Sequence, residues 1–177
     1  TETSPVLTIN PLDDTRRAGT IGLPLPDTQL RIGDPHDLSR TQPDGEAGEI
    51  LARGPQVFSG YLADAPATAA AFHEGWFRTG DMGVREPDGH IRLVGRIKEI
   101  IITGGFNVYP GEVEEALTSH PDIAQAAVVG VPRSDGSEDV AACVVLAPGA
   151  QLDEPALRDH CRGLLARYKV PQRFFAM

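Results

Sequence analysis

"GRIKEIIITGGFNVYPGEVEEAL", residues 95–117, joins an arginine, a lysine, an isoleucine-rich run, a glycine pair and an acidic helix start. The isoleucines favour a buried strand, whereas Gly104-Gly105 frees the backbone and lets another chain or a ligand approach closely. The stretch reads as a rigid arm carrying a mobile loop. "EIIIT" (99–103) and "FNVYP" (106–110) are two short strands around the glycine pair. Pro110 to Ser119 is a helix whose Glu112, Glu114 and Glu115 suit its N-terminal dipole.

Downstream, "IAQAAVVGVP" (123–132) and "DVAACVVLAP" (139–148) are further strands, with "SDGS" (134–137) as the turn between them. Asp153 to Ala166 is a helix with Leu157, Cys161, Leu164 and Leu165 on one core-facing stripe. These pieces compose a compact α+β module. Upstream, Gly and Pro recur at short intervals ("GLPLPD", "PDGEAGE", "RGP", "EPDGH"), and strand-length pieces such as Gln29 to Ile32 and Glu49 to Ala52 lie between them. The expectation is short strands in a small sheet or barrel. "DAPATAAAFH" (64–73) breaks that rhythm as a helix, capped by Asp64 with Pro66 in its first turn. "PDG" (87–89) is the tip of a hairpin linking "DMGVRE" to "HIRLVGR", and a domain boundary falls near Gly95.

The chain has 177 residues, 41% hydrophobic and 23% charged, which suffices to bury a core. A net charge of -9 opposes any broad grip on nucleic acid or an anionic membrane, so a phosphate must be met by a few local cations. No apolar run approaches the ~20 residues that span a bilayer, and the first residues are no signal peptide. Cys143 and Cys161 lack metal-ligand spacing and read as buried thiols. A soluble, cytoplasmic protein is expected.

Several residues carry two readings. Asp81, ending "RTGD" (78–81), has two carboxylate oxygens that can accept from the vicinal hydroxyls of a ribose, or it caps its own turn. Arg96 binds the same sugar or a phosphate, or is a solvated surface group. "TETS" (1–4) offers a hydroxyl and, in Glu2, a metal-binding carboxylate, although a magnesium site needs further ligands such as substrate phosphates. Lys169 in "YKVP" is better read as a stem on apolar surface with its head in water than as a catalytic lysine. The five histidines are scattered, and neither a triad nor a metal cluster is visible.

The order of "TETS", "GEILARGPQVFSGYL" (48–62), "GWFRTGD" (75–81), the opening stretch and "YKVP" (168–171) closely resembles the adenylate-forming enzymes, which include acyl-CoA synthetases, luciferases and the adenylation domains of peptide synthetases. The resemblance implies that Thr1 contacts the adenylate phosphate, that Glu2 is a catalytic magnesium ligand, and that Asp81 and Arg96 hold the ribose. It places Lys98 where this family has its hinge, so that residues 1–95 end the large domain, 96–98 form the hinge and 99–177 form a small mobile domain. Gly104 and Gly105 then face the acyl thioester site, or remain simply a hairpin tip. The family's phosphate loop lies upstream of its "TE" motif and its adenylation lysine downstream of "YKVP". Neither is in these 177 residues, so the resemblance implies a C-terminal fragment that is inactive alone. The implied parent joins a carboxylic acid, expected to be fatty, to ATP with Mg2+ and then to CoA. Two alternatives are an enzyme that loads a carrier protein and a noncatalytic module that keeps the fold.

Overall fold

A computed structural model describes all 177 residues, with α-helices and β-sheets in two compact units, Thr1–Ile97 and Lys98–Met177. The fold is α+β, as expected.

In the first unit, β1 (Thr8–Ile9) and β2 (Leu23–Pro24) form a small antiparallel ladder. The main sheet contains β3 (Gln29–Asp34), β4 (Asp37–Thr41), β5 (Ala47–Arg53), β6 (Phe72–His73), β7 (Trp76–Arg85) and β8 (Ile91–Arg96). Its order is β4-β3-β5-β7-β6, with β8 also paired to β7, and every pairing is antiparallel. β5 is the spine: Gly48 to Ala52 are all buried, so both its faces are covered. Gly48 admits no side chain, because a Cβ there would lie 2.2 Å from the Gly33 carbonyl oxygen. Ile32, Ile50 and Ile91 pack together with Leu30 against them.

Helix α1 (Ala65–Ala71) has the expected cap, the Asp64 carboxylate accepting from the Ala67 amide at 2.9 Å. It ends two residues earlier than expected. Phe72 and His73 leave it as β6 because they pair with Phe77 and Trp76, a sheet contact that local helix propensity cannot register. The "PDG" hairpin lies between β7 and β8, closed by Glu86 and His90.

The second unit opens with a 3-10 turn that begins in the first, Ile97–Glu99, followed by β9 (Ile101–Thr103) and β10 (Phe106–Val108). The "EIIIT" strand is thus shorter than its sequence suggests. Helix α2 (Pro110–Thr118), β11 (Ile123–Pro132), β12 (Glu138–Leu146), helix α3 (Glu154–Leu164) and β13 (Arg173–Ala176) follow. The sheet order is β11-β12-β13, antiparallel then parallel. Val113 and Leu117 of α2 and Leu157 and Cys161 of α3 pack on Val128, Val140, Ala142, Val144 and Phe174. The expected α3 stripe is narrower: Leu164 is 58% exposed, past the last turn that meets the sheet, and Leu165 only leans on the core. Cys143 is half-buried rather than buried, since alternation along β12 turns it to the face opposite Ala142 and Val144.

Candidate functional site

"RTGD" lies within β7, not in a turn. The ladder with β5 breaks its register there, and Gly80 adopts φ +75°, so the strand carries a bulge. Glu49, only 2% exposed, organises it. Its carboxylate accepts from Arg78 Nη2 at 3.0 Å and from the Gly80 amide at 3.3 Å. The Thr79 hydroxyl donates to the Ile50 carbonyl at 2.7 Å and accepts from the Asp81 amide at 3.1 Å. A carboxylate is tolerable at that depth because it is paired and hydrogen-bonded.

Beyond the bulge, Asp81 is the register partner of Arg96 on β8, at the end of the ladder away from its turn. Arg96 Nε lies 3.4 Å from Asp81 Oδ1, and the arginine side chain is 70% exposed. An acceptor with two oxygens and a planar fork of donors therefore stand side by side in reach of solvent. That pairing suits a vicinal diol or a phosphate.

Thr1 and Glu2 belong to a tight turn in which the Ser4 amide donates to the Thr1 carbonyl at 3.2 Å. The turn is tied to the segment after β5: the Phe58 amide donates to the Glu2 carbonyl at 2.8 Å, and the Tyr61 hydroxyl to Glu2 Oε1 at 3.1 Å. Its own backbone amide and then the Tyr61 hydroxyl hold the Glu2 carboxyl below the usual carboxylate range. No group of three His, Cys, Asp or Glu side chains is placed to hold a metal by itself. Magnesium takes one or two carboxylates and completes its shell with water and substrate phosphate, so Glu2 fits as the single protein ligand of a nucleotide-borne cation.

In the second unit, Lys98 is exposed in the 3-10 turn. Gly104 and Gly105 form the two-residue tip of the β9–β10 hairpin, with φ +56° and +81°. Both positive values suit a type I′ turn, which glycine adopts without strain. A Cβ at either position would meet nothing within 4 Å, so no packing within this chain requires glycine there. The neighbouring Phe106 stacks on Tyr168 with ring centroids 4.6 Å apart. Lys169 is not the free-headed lysine expected: it is 17% exposed, with Nζ at 2.7 and 2.5 Å from the two Glu112 oxygens. Glu112 thus holds "YKVP" to the start of α2 as well as suiting the helix dipole, and Glu114 accepts from the Val128 amide at 2.8 Å.

The structure therefore joins Asp81 with Arg96 and gives Glu2 a partner of its own. Glu49, Tyr61 and the Glu112–Lys169 pair escaped sequence reasoning. Only Glu49 had a signal, a charge inside the apolar "GEILA", sharing its strand face with Leu51.

Residues 1–62 match the family described as AMP-binding enzyme, and residues 112–177 match the AMP-binding enzyme C-terminal domain. The chain is 43% identical over 176 residues to sulfoacetate–CoA ligase of Cupriavidus necator, covering 98% of this chain and 34% of that protein. It is 41% identical over 173 residues to long-chain-fatty-acid–CoA ligase of Salmonella typhimurium, covering 98% and 30%. The crystal structure of ATP-bound MatB from Rhodopseudomonas palustris superposes with a TM-score of 0.93 at 38% identity, covering 99% of this chain and 35% of that one. The chain spans about a third of the length of the curated relatives it matches.

Proposed function

The chain belongs to the AMP-binding enzyme family, and from that premise we propose that it is the C-terminal part of an ATP-dependent CoA ligase. Such an enzyme converts a carboxylic acid and ATP to an acyl adenylate and pyrophosphate, then passes the acyl group to the thiol of CoA with release of AMP. The observation that carries this reading is the Asp81–Arg96 pair, a solvent-facing acceptor and donor set built on a buried, charge-braced bulge.

On this reading Asp81 accepts from the ribose hydroxyls and Arg96 donates to the same nucleotide, while Thr1 contacts its phosphate. Glu2 would hold magnesium, which neutralises phosphate charge when bound. Residues 96–98 form the hinge and Lys98 changes its backbone dihedrals between half-reactions, with 1–95 and 99–177 as the parts that reorient. The Gly104-Gly105 tip borders the thiol's approach, its missing side chains leaving room for a pantetheine arm. Cytoplasmic location accords with both cysteines being free thiols.

A fatty substrate is not favoured over others. Relatives of nearly equal identity are named for sulfoacetate and for a long-chain fatty acid, so the shared region does not select the acid. We assign the substrate only as a carboxylic acid.

Asp81→Ala in the longer protein tests the reading. Losing charge-assisted hydrogen bonds to the ribose costs about 1.5 to 3 kcal/mol, or roughly 10- to 150-fold in ATP affinity. Calorimetry that finds an unchanged dissociation constant would show that Asp81 only completes its strand.

A further inference from the structure

We propose that Tyr61 is a positioning residue that presents the Glu2 carboxylate to the cation accompanying the nucleotide. The inference rests on the reading of Glu2 given above. Its own support is the way this chain builds one hydroxyl against one carboxylate oxygen. Tyr61 donates to Oε1 at 3.1 Å, which orients the carboxylate, while Oε2 lies 3.5 Å from the Thr1 amino group and, with more than one lone pair, can still meet a cation.

The hydroxyl is itself held from behind. Gly60 adopts φ +148°, and a Cβ there would lie 2.6 Å from Thr68 Cγ2, so only glycine lets the chain run this close to α1. The Tyr61 amide donates to Thr68 Oγ1 at 2.8 Å, and that hydroxyl donates to the carbonyl of Asp64, the residue capping α1. The Tyr61 ring meets the edge of Phe58 at 4.9 Å, and Phe58 stacks on Phe72 and meets Phe77 edge-on, both at 5.5 Å. Phe58 also returns to Glu2 through its amide. One short segment thus grips both the backbone and the side chain of Glu2.

Tyr61→Phe in the longer protein keeps the ring in its cluster and removes only the donor. The Mg2+ concentration for half-maximal acid-dependent ATP–pyrophosphate exchange should rise about 3- to 10-fold. Calorimetric affinity for Mg2+·ATP should fall by a similar factor, while ATP affinity in excess chelator and the melting temperature stay at wild-type values. Glu2→Ala should raise the same Mg2+ requirement, and adding Tyr61→Phe to it should change nothing further. A raised requirement in Glu2→Ala with none in Tyr61→Phe overturns the role of Tyr61 and leaves Glu2 in place. No change in either variant overturns the reading of Glu2 itself. Activity lost equally at all Mg2+ concentrations, with a lowered melting temperature, reduces Tyr61 to a structural residue and also overturns the proposal.

Discussion

Cys161 sits on the buried face of α3 with no exposed surface, and burial raises its thiol pKa above the usual range because the thiolate is the form that loses hydration. The folded chain therefore keeps this proton to higher pH than the unfolded chain does. Its contribution to stability is complete below the unfolded thiol range and is lost progressively as pH rises from there through the raised folded value. Cys143, on the face of its strand opposite Ala142 and Val144, is only half-buried. At pH 8, iodoacetamide should modify Cys143 and spare Cys161, and both should react in denaturant. Mass spectrometry of the native protein would overturn this assignment by finding equal labelling at both positions. The same contrast of depth separates Glu49 from Asp81. Glu49 is a sealed support whose hydrogen bonds shape the bulge, while Asp81 is the outward-facing group that the bulge presents.

At the scale of elements, the boundary between the compact units falls at Ile97/Lys98, inside a single 3-10 turn. Short 3-10 pieces often serve as connectors and hinges, having few hydrogen bonds to break. Lys98→Pro in the longer protein is expected to leave acyl-adenylate formation largely intact and to slow transfer to CoA, because proline fixes φ near -65° and removes a donor. Adenylate formation without CoA, followed by single-turnover transfer after CoA is added, measures the two steps separately. Equal loss in both, or normal transfer, removes Lys98 from the hinge role, and Lys98→Ala controls for the charge. The β9–β10 hairpin was legible in sequence because "TGGF" between apolar runs fits a two-residue turn. The bulge in β7 was not. Its cause is Glu49, which lies far away in sequence, so "RTGD" read alone resembles a turn.

For the whole molecule, the 177-residue chain on its own is expected to show no acid-dependent ATP–pyrophosphate exchange. On the proposed reading the Asp81–Arg96 pair and Glu2 meet the nucleotide, but the 177 residues include neither the glycine-rich phosphate loop nor the adenylation lysine that the resemblance implies. Those groups supply the electrostatic stabilisation of the transferring phosphate. Exchange above background by the purified chain would sink this expectation.

Local chemistry by itself determined much of this protein. Turn glycines, the Asp64 cap, the apolar runs of β11 and β12 and the order of five short motifs identified the two-part α+β organisation and the candidate residues. These features act over a few neighbouring positions, so they are written in consecutive residues. Only the tertiary structure decided which side chains meet. Asp81 finds Arg96 through strand register, Tyr61 finds Glu2 across the fold of the first unit, and Lys169 finds Glu112 across the second. It also decided that Phe72 and His73 leave their helix, that Leu164 faces water and that Cys143 is half-covered. Each of these outcomes depends on what packs against the residue, and that partner is chosen by long-range pairing and burial, which no local preference encodes.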